Sequence, residues 1–181
     1  MSKTTISTGG IADAGISTAK LADDAVSAAK IADAVALGKL LQVVQVETTT
    51  DLDLSSNTYT DFFSGAITPS ASSSKVLVFW TVHSRSMTTI SGFGVKLLRG
   101  STAVWTSTRD YYVYSEDSSS DRHLTMLNYL DSPSTTSATT YKVQVACNNS
   151  NNIQFSGNSN QSNMTLMEIA GWLELQMHYK V

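Results

Sequence analysis

The residue types that could do chemistry are few in this sequence, and none stands at a catalytic spacing. The three histidines, His83, His123 and His178, lie far apart, each in a stretch of strand-like alternation. A metal site needs three or four donors converging on one point, so each reads better as a surface or satisfied core histidine. Asp51 and Asp53 in "DLDL", and Glu116, Asp117 and Asp121 around "EDSSSD", carry oxygens of the kind a hard cation takes. Neither run supplies the about six to eight ligands that Ca2+ prefers, and a solvated loop is the plainer reading of both. The single cysteine, Cys147, ends the apolar run "YKVQVAC"; it permits no intrachain disulfide and reads as a buried structural thiol. The patterns GxSxG, HExxH, CxxC and the P-loop are all missing. "GFG" at Gly92 to Gly94 lacks the third glycine and the following helix of a dinucleotide fingerprint. No catalytic residue, metal or cofactor is assigned, and the sequence is read as that of a protein that is not an enzyme.

Recognition chemistry has one candidate. "WTSTRDYYVYSEDSSSD" places Trp105, Tyr112 and Tyr114 beside a polar loop. Aromatic faces next to Asp, Arg and Asn side chains suit a sugar ring, so these three are the candidate glycan contacts, with a host surface polysaccharide as the partner. In a strand Tyr112 and Tyr114 share one face. The competing reading packs the same rings in the core or in a subunit interface. Other partners are excluded by charge and hydropathy. The net charge is −3 with no run of basic residues, which argues against nucleic acid. No apolar run nears the roughly 18 residues of a membrane span. "MSKTTISTGG" has no hydrophobic core of a signal peptide, so synthesis in the host cytoplasm is expected. The sequons at Asn148, Asn160 and Asn163 then fall by chance in an Asn/Ser-rich stretch.

The elements that must position these side chains are strands. The chain has 181 residues, 41% hydrophobic and only 15% charged, a length and composition for one packed domain with an appendage. From Leu41 onward the apolar period is two, punctuated by turn residues. "LLQVVQVET" and "YTDFFSGAITP" are the first two expected strands, the second closed by Pro69. Lys75 to His83 is the most apolar: Val76, Val78, Trp80 and Val82 share one face, and Leu77, Phe79 and Thr81 the other. A strand apolar on both faces belongs at the centre of a sheet. "FGVKLLRGSTAVWTST" reads as a hairpin turning at Gly100 and Ser101. "YYVYS", "RHLTMLNYLDSP", Thr140 to Cys147, "NIQFSG" and a last strand broken at Gly171 complete the set. About nine strands in residues 41–181 predict an antiparallel β-sandwich, jelly-roll-like, as the head. Seven large aromatics, among them Trp172 and Phe79, exceed what one sandwich must bury, which favours a subunit interface.

Residues 1–40 follow another rule. "ISTGGIADAG", "ISTAKLADDA" and "VSAAKIADAV" are three decapeptides with Ile6, Ile11, Ile16, Leu21, Val26 and Ile31 at a constant spacing of five. Five turns about 140° on a helix and makes no stripe. On a strand it alternates faces. Short helical turns fit better, capped by Ser17 and Ser27 and interrupted at Asp13, Asp23 and Asp33. Two aliphatics per decapeptide cannot make a core alone. Lateral packing of several copies can, with these six residues lining the axis of a stalk, and a parallel homotrimer is the simplest such object; the competing reading is a disordered linker, against which the regular aliphatic spacing weighs.

The decapeptides resemble the stalk repeats of bacteriophage fibre proteins. "ITPSASSSKVLVFW", "SATTYKVQVA" and "TLMEIAG" resemble phrases of the β-sandwich heads of such fibres, which are similar in form to the trimeric jelly rolls of tumour necrosis factor and complement C1q-like proteins. The resemblance covers about residues 6 to 170. It implies a virion surface protein with homotrimeric assembly, contacting the major capsid protein or a tail adaptor. It brings no catalytic residues. Fibres of this family commonly begin with a sizeable anchoring domain, whereas here the repeats start at Ile6. That favours a head fibre or cement protein on the capsid over a long tail fibre, with a small tail fibre or receptor-binding protein as the alternative.

Overall fold

A computed structural model describes residues 39–86, 91–107, 112–115, 121–148 and 152–171. The stalk residues Ile6, Ile11, Ile16, Leu21, Val26 and Ile31, and the last segment from Trp172, lie outside them. Among the described residues eleven strands follow one another: β1 Leu40–Thr48, β2 Leu52–Leu54, β3 Thr60–Ile67, β4 Lys75–Ser86, β5 Ser91–Arg99, β6 Thr102–Thr106, β7 Val113–Ser115, β8 Arg122–Asp131, β9 Thr139–Cys147, β10 Ile153–Phe155 and β11 Ser162–Ile169. Among the described residues the one helical element is a 3-10 turn, Gly157–Ser159.

All pairings are antiparallel and make two sheets. In the first, β8 lies beside β4. The far side of β4 carries β11 along Lys75–Thr81 and β10 along Ser84–Ser86. Outside these run β1 on β11 and β2 on β10. In the second sheet β3 pairs β9, β9 pairs β5, and β5 carries both β6 and β7. Counting end-to-end pairs as single positions gives eight. The first sheet then reads first, eighth, third, sixth, and the second reads second, seventh, fourth, fifth. Each long strand is followed across the gap to the opposite sheet, apart from the β5–β6 hairpin. This is the double Greek key of a jelly roll, so the mainly β, antiparallel sandwich expected from the alternation is what the head forms.

Alternation explains the core. Val76, Val78, Trp80 and Val82 of β4 meet Val95 and Leu97 of β5, Tyr141, Val143 and Val145 of β9, and Met164 and Leu166 of β11 in one cluster with almost no exposure. Each fully buried aliphatic of this kind contributes roughly 1.5–3 kcal/mol. The β5–β6 hairpin turns at Gly100 and Ser101, as the sequence predicts, with Gly100 at φ +59°, a conformation that disfavours any residue with a Cβ. Gly171 is fixed by space: a Cβ there would lie 2.1 Å from the Ser73 carbonyl oxygen.

Two expectations change. The "DLDL" run, read as a loop, contains β2, a three-residue strand pairing with the equally short β10. Strand β4 is central, but its second apolar face is not buried: Leu77 is half-buried and Phe79 is 41% exposed. Apolar residues on both faces predict cover on both faces, and within this chain only one cover is found among the described residues.

Candidate functional site

The chain enters the head at Lys39 and the described residues end at Gly171, and these points are neighbours: Ala170 N donates to Lys39 O at 2.9 Å. This terminal end of the sandwich is held by two polar clusters. In the first, Glu168 of β11 is fully buried opposite Gln42 of β1. Its carboxylate accepts from Ser70 N at 2.7 Å, Ser70 Oγ at 2.6 Å and Gln42 Nε2 at 2.6 Å. Burial pushes this carboxyl up, but the hydrogen bonds from Ser70 and Gln42 outweigh it and hold it at about 2. In the second, Asp131 of β8 accepts Arg99 Nη1 of β5 on both oxygens at 2.9 Å, and the Tyr141 hydroxyl of β9 donates to Oδ2 at 2.6 Å. Burial, then the neighbouring Asp131 carboxylate, push the Tyr141 phenol well above its ordinary range. One cluster ties the β3–β4 loop to β1 and β11; the other ties the two sheets together.

The outer faces of the two sheets differ in character. On the β3–β9–β5 sheet the outward Asp61, Lys142 and Gln144 satisfy one another. Lys142 Nζ and Gln144 Nε2 both donate to Asp61, at 2.6 Å and 2.7 Å, and Lys96 Nζ sits 3.8 Å from the Tyr59 ring centroid. The β1–β11–β4–β8 sheet carries an apolar row across its outer face near the terminal end, with Gln45, Thr165 and Asn128 in the neighbouring row beside Phe79. Val43 pairs with Met167, Met167 with Leu77 and Leu77 with Leu130. Direct cross-strand partners share a face, so these four form one unbroken row across the full width of the sheet. Val43 is 51% and Leu130 54% exposed. Phe79, Met126 and Leu124 extend the apolar surface toward the other end, and Leu41, beside a bulge, adds to it at the terminal end. Four apolar side chains in one row, with Phe79, Met126 and Leu124 exposed beyond it, form the most apolar surface among the described residues.

The candidate glycan residues lie at the opposite, loop-rich end. Trp105 is half-buried, its ring 5.7 Å from Trp80 and edge-on to it, so it packs on the margin of the core. The Tyr112 ring lies against Trp105 at 5.6 Å. Tyr112 and Tyr114 are both exposed, while the intervening Val113 turns inward onto the core. The structure thus brings Trp105 and Tyr112 into contact and presents both tyrosines to solvent.

The other chemical candidates do not converge. His83 lies on the outward side of β4, whereas His123 stands opposite the buried Ser84 on the inward side; His178 lies outside the described residues. Burial first, and then the charge of Arg122, hold the His83 imidazole below its ordinary range. Asp53 is exposed on β2, Asp121 borders β8, and Glu116 and Asp117 lie outside the described residues. Among the described residues no three His, Cys, Asp or Glu side chains are grouped to hold a metal. Cys147 is buried, its thiol donating to Leu54 O at 3.0 Å and pushed up to about 11 by burial. Among the described residues no helix is long and apolar enough to cross a membrane. The polar clusters and the apolar row were beyond sequence reasoning, since they join residues up to 126 positions apart.

No family model and no curated protein matches the sequence. Among solved structures, the infectious bursal disease virus VP2 subviral particle is similar at a TM-score of 0.46 and 16% identity over 72% of this chain and 33% of that one. The T13 particle of the same virus gives 0.45 and 12% over 74% and 36%, and its Gx strain gives 0.44 and 15% over 71% and 37%. The chain spans about a third of the length of each.

Proposed function

We propose that this chain is a structural protein of a bacteriophage virion: a homotrimeric surface spike or fibre that decorates or stabilises the capsid, as a head fibre or cement protein does. The observation that carries the reading is a jelly roll with an exposed apolar row across one outer face, following a stretch of decapeptides whose six aliphatics need neighbouring chains. The resemblance of those decapeptides to phage fibre stalks supplies the virion. The partners are two further copies of the chain and the major capsid protein or a tail adaptor. Light scattering of the purified full chain is expected to give three times 19.5 kDa; a stable monomer contradicts the assembly. Cryo-EM of the particle is expected to place the trimer on the capsid shell.

A second reading, as a small tail fibre or receptor-binding protein, is favoured by Tyr112 and Tyr114, both exposed at the end away from Lys39 and Gly171. On this reading the trimer binds host surface polysaccharide, and Tyr112→Ala with Tyr114→Ala abolishes binding without changing the melting temperature of the head. Wild-type trimer that ignores host polysaccharide, together with capsids that weaken in its absence, leaves decoration as the role.

A further inference from the structure

We infer that the outer face of the β1–β11–β4–β8 sheet is the surface through which heads of neighbouring copies meet, centred on Val43, Met167, Leu77 and Leu130. This rests on the trimeric reading above and names the surface that carries it.

The choice of face follows from the contrast between the two sheets. Outside β3–β9–β5, Asp61, Lys142 and Gln144 satisfy one another. Outside β1–β11–β4–β8, four apolar side chains stand in register with half of Val43 and Leu130 still in water. The pattern of β4 makes the same point from sequence, because Leu77 and Phe79 have the composition of a covered face.

The occupant follows from charge and from chain direction. Side chains close to a threefold axis meet their own copies, and so their own charges. The row itself holds no ionisable group; Lys75 flanks it on the same face, two residues from Leu77, with its ammonium donating to Ser132 Oγ at 2.7 Å, and Glu47, Arg85 and Arg122 stand farther away along the same strands. The row also lies at the terminal end, where Val43 is four residues from Lys39. The 38 residues before Lys39 carry the aliphatics that call for parallel neighbours. Parallel bundling of those residues draws the terminal ends of the copies together, and the apolar row is what each copy offers there.

The test uses the full chain and two row variants, Leu130→Asp and Val43→Ser, beside Thr106→Asp, an exposed change on the other sheet. Light scattering reports assembly, and near-ultraviolet circular dichroism of the buried tryptophan reports folding. The expected result is a trimeric wild type and Thr106→Asp, with both row variants folded and reduced to monomer at the same concentration. The serine variant removes only an exposed side chain and keeps the test decisive if the aspartate fails to fold. Row variants that remain trimeric overturn the assignment of the face while leaving the trimer intact. A monomeric wild type overturns both. A photo-crosslinker at position 130 that attaches to residues 172–181 of its own chain, in a trimer indifferent to the row variants, assigns the face to the chain's own end and also overturns the proposal.

Discussion

Glu168→Ala is expected to lower the unfolding free energy of the head by about 3 kcal/mol at neutral pH, since hydrogen bonds to a charged group are worth roughly 1.5–3 kcal/mol each and the buried carboxylate holds three of them. Ser70 N and Ser70 Oγ lose their acceptor in that variant, while Gln42 Nε2 keeps the Thr68 carbonyl oxygen at 2.6 Å. The β3–β4 loop then loses its attachment to β11. The same carboxylate predicts an acid limb. Its folded value of about 2 lies below the ordinary 4.5, so the unfolded chain binds the proton first as pH falls. The stabilisation is complete above about pH 4.5 and is lost as pH falls toward 2. With about 1.4 kcal/mol for each tenfold difference in proton affinity between the folded and unfolded chain, it amounts to roughly 3 kcal/mol. Urea unfolding at pH 7 and at pH 3, at one fixed protein concentration, checks both statements. Glu168→Gln should abolish most of the difference between the two pH values; an unchanged acid limb in that variant contradicts the assignment.

Asp131→Ala is the second large effect, expected at about 2–4 kcal/mol, because removing one partner of a buried ion pair strands the other. Asp131 is nearly buried while Arg99 is one-third exposed, so the stranded guanidinium recovers some hydration and the loss falls toward the lower part of that range. Tyr141→Phe removes a single buried hydroxyl and should cost roughly 1 kcal/mol. The two changes share a contact, so their costs in the double variant should fall short of additive. Strict additivity would mean that the Tyr141 hydrogen bond contributes nothing to the cluster. Alkaline behaviour follows from the raised phenol of Tyr141. Its contribution is complete below about pH 10, the ordinary tyrosine value. Above that pH the unfolded chain ionises first and the contribution is lost.

Much of the head is legible in the sequence, and the rest fails for physical reasons. Strands β1, β3, β4, β8, β9 and β11 announce themselves by alternation because one face of each is buried against the other sheet. The Gly100–Ser101 turn is legible because a two-residue hairpin needs positive φ. β2 is not: three residues, Leu52–Leu54, make too short a period to separate from a loop, and their pairing with β10 is set a hundred residues away. Nothing in "TLMEIAG" marks Glu168 as a satisfied buried charge: its donors come from Ser70 and Gln42, which the fold alone brings to it. Trp105, Tyr112 and Tyr114 form one aromatic stretch in sequence. The structure divides them by exposure, since the packing of Trp105 on Trp80 depends on which sheet each occupies.

The adjacency of Lys39 and Gly171 has a mechanical side. β1 runs from the terminal end into the head along β11, and the hydrogen bonds between them lie perpendicular to both strands. A pull on Lys39 along the strand axis, resisted at the far loops, therefore loads the whole Leu40–Thr48 ladder in shear, with its bonds sharing the force at once. A pull that separates Lys39 from Gly171 opens the same ladder one pair at a time, starting at the Ala170–Lys39 bond. The head is thus strong against traction along its entry strand and weak against prising Lys39 from Gly171.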